Sequence, residues 1–193
     1  MRPSLPTPAL PFCSFLYRED LHPKKEFLKT WETWFKNSQK FYHPFFSMRY
    51  YYSKEMGPPH LLNRFFLIGL ETFSREVILE GKLKAIEEEE KFKIDGARTV
   101  NIDFGVLSLE NVILATNKPF AHRVYLTEGV YLDLTYTYQD KTYKKLPWTY
   151  PDYAHPEILN FFNLTRGLLL KKIREDKPNK NNHLSSSPTE FLA

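Results

Sequence analysis

What this chain lacks narrows its class before any motif is considered. It has one cysteine, Cys13. No internal disulfide can therefore form, and no Cys pair offers zinc-ligand spacing, which excludes a secreted disulfide scaffold and a zinc ribbon. Seven glycines in 193 residues rule out a collagen-like or Gly-rich low-complexity chain. Long hydrophobic runs are missing too. The most apolar window, residues 61–70, is broken by Asn63 and Arg64, and "MRPSLPTPALPF" at the start lacks the uninterrupted apolar core of a signal peptide. Neither sign of charge dominates: a net +4 falls short of the basic footprint of a dedicated nucleic-acid binder. These absences describe a cytoplasmic protein that does not enter a membrane.

What is present is bulk. Sixteen Phe, twelve Tyr and three Trp within a 42% hydrophobic composition suffice for one well-filled domain. The expected organisation is a Pro-rich leader over 1–10, a single α+β domain over 11–175, and a polar Ser/Pro-rich tail over 176–193 with a disordered composition. Nothing in the chain fixes its oligomeric state.

Within the domain, "PFCSFLYR" (11–18) reads as a buried strand. A helix follows, with Pro23 in its first turn and Phe27, Leu28, Trp31, Trp34 and Phe35 at helical spacing. "FYHPFFSMRYYYSKEMGPP" and "LLNRFFLIGLETF" read as two extended segments. "SREVILEGKLKAIEEEEKFKIDG" predicts a second helix, with Ile78 or Leu79, Leu83, Ile86 and Phe92 inward and glutamates 87–90 as a solvated end. "ARTVNIDFGVL" is a further strand. The resulting β-α-β-β-α-β order is ferredoxin-like. "LSLENVILAT" fits either a short helix or a strand. "HRVYLTEGVYLDLTYTYQDKTYKKL" alternates as an antiparallel β-meander with turns at Glu128-Gly129 and Gln139-Asp140. A last helix from about Pro156 packs Ile158, Phe161, Phe162, Leu164 and Leu168.

The strong signatures of phosphate loops, dinucleotide folds, zinc proteases, serine hydrolases and redox dithiols are all missing. "TNKPF" (116–120) resembles the guanine-reading loop of GTPases, but Phe120 stands where the base-reading carboxylate belongs. With no phosphate loop beside it, GTPase chemistry is disfavoured. No motif names a cofactor, and no metal-ligand set is read.

Chemistry concentrates in three stretches. Asn101 and Asp103 in "NIDFG" stand two apart at a strand end and share a face, able to orient a polar ligand, while Asp103 could equally cap a turn before Gly105. His122 and Arg123 offer a proton carrier and an anion clamp, but strand alternation sends them to opposite sides. Lys118 is a further anion clamp. "PWTYPDYAH" (147–155) is stiffened by Pro147 and Pro151 and displays Trp148, Tyr150 and Tyr153 as an apolar wall with polar tips, Asp152 as a carboxylate, and His155 before the last helix. Alternatively, Trp148 and Tyr150 plug the core and Asp152 caps that helix.

At "EMG" (55–57), "NIDFG", "LATNK" (114–118), "HRVYL" (122–126), "GVYLDLTY" (129–136) and above all "PWTYPDY" (147–153) the chain resembles the bacterial family known as domain of unknown function 4416. That family usually has proline where this chain has Phe104. The resemblance spans roughly residues 12–172 and implies a compact bacterial cytoplasmic protein of unassigned role.

The expectation is therefore a small polar or anionic ligand, bound or turned over in a pocket lined by 101–105, 118–123 and 147–155. Asp103 and His122 are the catalytic candidates. Asn101, Lys118, Arg123, Trp148, Tyr150, Asp152 and Tyr153 are the binding ones. The competing expectation is an RNA- or protein-interaction module, with Tyr50 and Tyr52 of "MRYYYSK" as a base-stacking platform on a strand.

Overall fold

The computed structural model describes residues 4–43 and 46–176. Most of the expected tail, 177–193, lies outside them. The described chain is α+β, an eight-stranded antiparallel sheet with four α-helices. In chain order these are β1 (Leu10–Arg18), α1 (Leu28–Phe35), β2 (Ser38–Tyr42), α2 (Arg49–Met56), β3 (Leu62–Gly69), α3 (Val77–Lys91), β4 (Val100–Leu107), β5 (Asn111–Thr116), β6 (Arg123–Thr127), β7 (Val130–Gln139), β8 (Thr142–Lys145) and α4 (Pro156–Glu175). The sheet runs β2-β3-β1-β4-β5-β7-β6, with β8 also on β7.

β1 and β3 are central, and their near-continuous apolar sequences follow from burial on both faces. Phe15 and Tyr17 of β1 point to the side covered by α1 and α3, where they meet Phe27, Trp31, Ile78 and Phe104. Phe12, one residue out of phase, faces α4 and packs edge-on to Phe162 at 5.0 Å. Each such buried side chain stabilises the fold by roughly 1.5–3 kcal/mol relative to exposure. Among the described residues no helix is long and apolar enough to cross a membrane.

Four local expectations are corrected. "MRYYYSKEM" is not a strand but α2, held by Tyr52 and Met56, one turn apart, packing on Leu16, Phe46 and Leu62. Its tyrosines therefore make no sheet platform, and Tyr50 and Tyr51 project into solvent. The glutamate run ending α3 is not wholly solvated: Glu88 is buried. On α4 the face toward the sheet is Ile158, Phe162, Thr165 and Leu169, whereas Leu164 and Leu168 lie on its exposed flank. Finally, β6, β7 and β8 do not form a simple meander. β5 occupies one edge of β7, so β6 and β8 share the other, pairing with residues 130–133 and 136–139 respectively.

The ambiguous segment after β4 is the strand β5. The β6–β7 hairpin turns at Glu128-Gly129, with φ of 50° and 74°, the positive pair that two-residue hairpins require. The next turn falls at Asp140-Lys141, one residue beyond its expected place.

Candidate functional site

The site arises from a pairing that stops. β4 and β5 are hydrogen-bonded neighbours only where Gly105–Leu107 meet Leu114–Val112. Gly105 is the pinch point, because a Cβ there would come within 2.5 Å of Phe12 and 2.6 Å of the Ile113 carbonyl. Before Gly105 the strands part, leaving the outer edge of β4 without a strand partner over its first half. A cavity of about 230 Å³ fills the gap.

Three elements wall it. From α3 come Lys82, Ile86 and Glu89, at i, i+4 and i+7 and hence on one helix face. Glu89 Oε1 accepts a hydrogen bond from the Ile102 amide at 2.6 Å, satisfying a donor that the missing strand would have taken. Burial pushes the Glu89 carboxyl above its ordinary range. Lys82 is 7% exposed, and its charge pulls against that rise in the Glu89 carboxyl.

From the sheet come Arg64, Asn101 and Asp103, which β-register puts on the α4 face. Asn101 Nδ2 donates to Asp103 Oδ1 at 3.2 Å. Arg64 is the charged residue that interrupts the apolar run of β3. Its guanidinium is buried over the Phe46 and Tyr52 rings, 5.1 and 5.6 Å from their centroids. It is ion-paired at 3.5 Å with both Asp103 and Asp152, and its Nε and Nη2 have no hydrogen-bond partner among the described residues.

The third wall is the far strands with the stiff loop. Arg123 Nε bonds Asp133 Oδ2 at 2.9 Å, its Nη1 the Lys118 carbonyl at 2.9 Å and its Nη2 the Tyr150 hydroxyl at 2.7 Å. This fork fixes Tyr150 against the cavity and orders the 117–122 turn, from which the Lys118 side chain projects.

Of the residues expected to meet, Asn101, Asp103, Lys118, Arg123, Tyr150 and Tyr153 line this one cavity. His122, Trp148 and Asp152 do not. His122 Nε2 lies 3.2 Å from Asp133 Oδ2, and its ring stacks on Trp148 at 4.9 Å and 11°. Trp148 Nε1 donates to the Leu134 carbonyl. His122 and Arg123 were expected on opposite sides, yet both reach Asp133. The reason is that His122 precedes β6, in a turn where strand alternation does not apply. Asp103 lies within β4 and caps no turn. Asp152 does not cap α4, a role taken by His155, whose side chain accepts from the Glu157 amide. Instead it is buried beside Arg64 and accepts from Ser47 Oγ and the Met48 amide. Burial pushes its carboxyl up, against the pull of Arg64.

Sequence reasoning missed Arg64, Lys82 and Glu89. The available signal was a charge inside an otherwise apolar pattern: Arg64 amid "LLNRFFLIGL", and Lys82 beside Gly81 and Ala85, the small residues that let α3 approach the sheet.

A family model described as a domain of unknown function, DUF4416, matches residues 7–168. The chain belongs to the DUF4416 family. No curated protein and no solved structure matches it significantly. The DUF4416 match covers every wall of the cavity, from Arg64 on β3 to Tyr153 in the stiff loop.

Proposed function

We propose that this DUF4416 domain binds a small anionic metabolite in the cleft between β4 and β5. The observation that carries the reading is Lys82, a nearly buried lysine that lines the cavity and makes no ion pair among the described residues. Its charge acts on Glu89 without a hydrogen bond between them, and a phosphate or carboxylate in the cavity gives it a direct, charge-assisted partner. Arg64, with unfilled N–H groups, adds a second charge, and Lys118 a third at the rim. Asp103 and Glu89 on opposite walls confine the anion to the space between Lys82 and Arg64, and leave a carboxylate and a raised-pKa carboxyl beside any bound group. If the bound molecule reacts, Asp103 is the acid or base, and His122 acts from outside the cavity by positioning Asp133 and, through it, Arg123.

The order β2-β3-β1-β4, with α1 and α3 on one face, supports reading residues 10–107 as a ferredoxin-like unit to which β5–β8 and α4 are added. The lone, buried thiol of Cys13 supports a cytoplasmic setting.

The test is a thermal-shift screen of the full chain against inorganic phosphate, phosphorylated metabolites, di- and tricarboxylates and nucleotides. A ligand at 100 times its Kd adds about 2.7 kcal/mol, a rise of several degrees for a chain this size. One chemical class is expected to raise Tm, with Lys82→Met abolishing the rise. If no anion shifts Tm, or if Lys82→Met leaves the shift intact, the reading fails.

A further inference from the structure

Two carboxylates stand in a cavity whose cations call for an acid group. Asp103 and Glu89 both line it, one from β4 and one from α3. The Asp103 carboxylate accepts from Asn101 at 3.2 Å, is ion-paired with Arg64 at 3.5 Å and keeps 31% of its side chain exposed. Glu89 accepts from the Ile102 amide through one oxygen, Oε1. The Ile102 carbonyl lies on the same edge of β4 as that amide, where β5 has ceased to pair. A bare anion such as phosphate would lie beside both carboxylates, and like charges repel strongly away from bulk water. Along α3 the wall also changes sign. Gly81 lies under the Phe104 ring and Glu89 reaches Ile102, so Lys82 stands toward the pinch at Gly105 and Glu89 about 10 Å further along the helix.

We propose that the molecule bound here is a zwitterion, an amino acid or another small acid bearing a primary amine, whose acid group meets Lys82 while its ammonium meets Asp103, Glu89 and the Ile102 carbonyl. The inference rests on the reading of the cleft as an acid-binding site and names the class of acid. An ammonium has three N–H donors and no acceptor, and this part of the wall presents acceptors. Charge-assisted hydrogen bonds of that kind are the strong ones. The rest of the lining agrees. Arg98 is ion-paired with Glu55 and Arg123 with Asp133, so these charges cancel within the protein. What remains is Arg64, Lys82 and Lys118 against Asp103, Glu89 and Glu90, equal numbers of each sign. A molecule carrying both signs fits such a lining, whereas a purely anionic one leaves carboxylates facing it. Burial raises the Glu89 carboxyl, and Asp103 pushes it the same way; an ammonium beside it favours the ionised form.

The experiment is isothermal titration calorimetry on the full 193-residue chain with acids matched in carbon skeleton: aspartate against succinate, glutamate against glutarate, 4-aminobutyrate against butyrate, and inorganic phosphate beside them. In at least one pair the amine-bearing acid is expected to bind about tenfold more tightly, or better, than its amine-free counterpart. Asp103→Asn is expected to weaken the amine-bearing acid and to tighten the amine-free one, because it takes a counter-charge from the first and a repulsion from the second. Glu89→Gln is expected to act in the same two directions. Both changes keep side-chain shape, circular dichroism verifies the fold, and a damaged fold would weaken both members of a pair. If amine-free acids or phosphate bind as well as the amine-bearing ones, the zwitterion is overturned and the acid-binding cleft stands. If no acid binds, with or without an amine, both fall. If both variants weaken the two members of a pair alike, the placing of an ammonium at Asp103 and Glu89 is overturned.

Discussion

Glu89 holds the Ile102 amide at 2.6 Å across the gap where β4 has no neighbouring strand. A helix side chain thus stands in for a strand, and this single bond keeps the cavity's inner edge free of an unsatisfied donor. Glu89→Ala removes the acceptor and is expected to cost about 1–3 kcal/mol. Glu89→Gln keeps an acceptor and removes the charge. Burial raises the folded-state pKa of Glu89, so its contribution is fully present below the unfolded carboxyl pKa of about 4.3 and is lost as pH rises through the folded value. Urea unfolding at acid and neutral pH is therefore expected to show Gln gaining on the wild type toward neutrality.

Gly81 lies directly under Phe104: a Cβ on Gly81 would come within 2.2 Å of the Phe104 ring. That ring cannot readily move, since Trp31 and Trp34 pack on it at 5.9 and 5.5 Å. Alanine gains about 1 kcal/mol of helix propensity, but overpacking costs about 1–3 kcal/mol, and at so short a contact the clash wins. Gly81→Ala is expected to lower stability by about 1–2 kcal/mol, and Phe104→Leu in the same chain to cost less than it does alone. A double-mutant cycle by chemical denaturation measures the coupling.

His43 is 2% exposed, and neither ring nitrogen has a hydrogen-bond partner among the described residues. Burial, then the charges of His155, Arg64 and Arg49, hold its pKa down at about 4. Between pH 6.5 and about 4 the unfolded chain takes up a proton that the folded one refuses. Stability present above pH 6.5 is therefore lost as pH falls through this window, by roughly 3 kcal/mol in full. His43→Phe keeps the ring and abolishes the titration. Its unfolding free energy is expected to fall less steeply between pH 7 and 4 than that of the wild type, and parallel curves would remove the assignment.

Arg64 sits between Asp103 and Asp152 with its guanidinium buried. Arg64→Met fills much of the same space but strands the Asp152 carboxylate. Loss of one partner of a buried pair costs about 3–5 kcal/mol. The lower end is expected here, because the pair is separated by 3.5 Å and Asp152 keeps its bonds to Ser47 and Met48. Adding Asp152→Asn to Arg64→Met is expected to recover most of the loss, as read from Tm.

Much of this was legible because it is local. Apolar runs, periodicity and turn residues encode β1, α1, α3, the hairpin at Glu128-Gly129 and the start of α4 within windows of a dozen residues. The convergence of Asn101, Asp103, Arg123 and Tyr150 was legible in outline, from polar groups at a strand end and a strand start and from a proline-stiffened loop. The helical state of "RYYYSKEM" was not. Its tyrosines favour strand, and the contacts of Tyr52 and Met56 with Leu16, Phe46 and Leu62, remote or near in sequence, reversed the preference.

The sequence by itself determined the class of the domain, its principal elements and the chemical types available to a site. Only the tertiary structure decided that Arg64, Lys82 and Glu89 belong to that site and that Trp148 and Asp152 stand outside its cavity. Side-chain type and periodicity report which face is buried, but not which distant group a buried charge will meet. Here that was set by where β4 and β5 cease to pair, a consequence of the whole sheet.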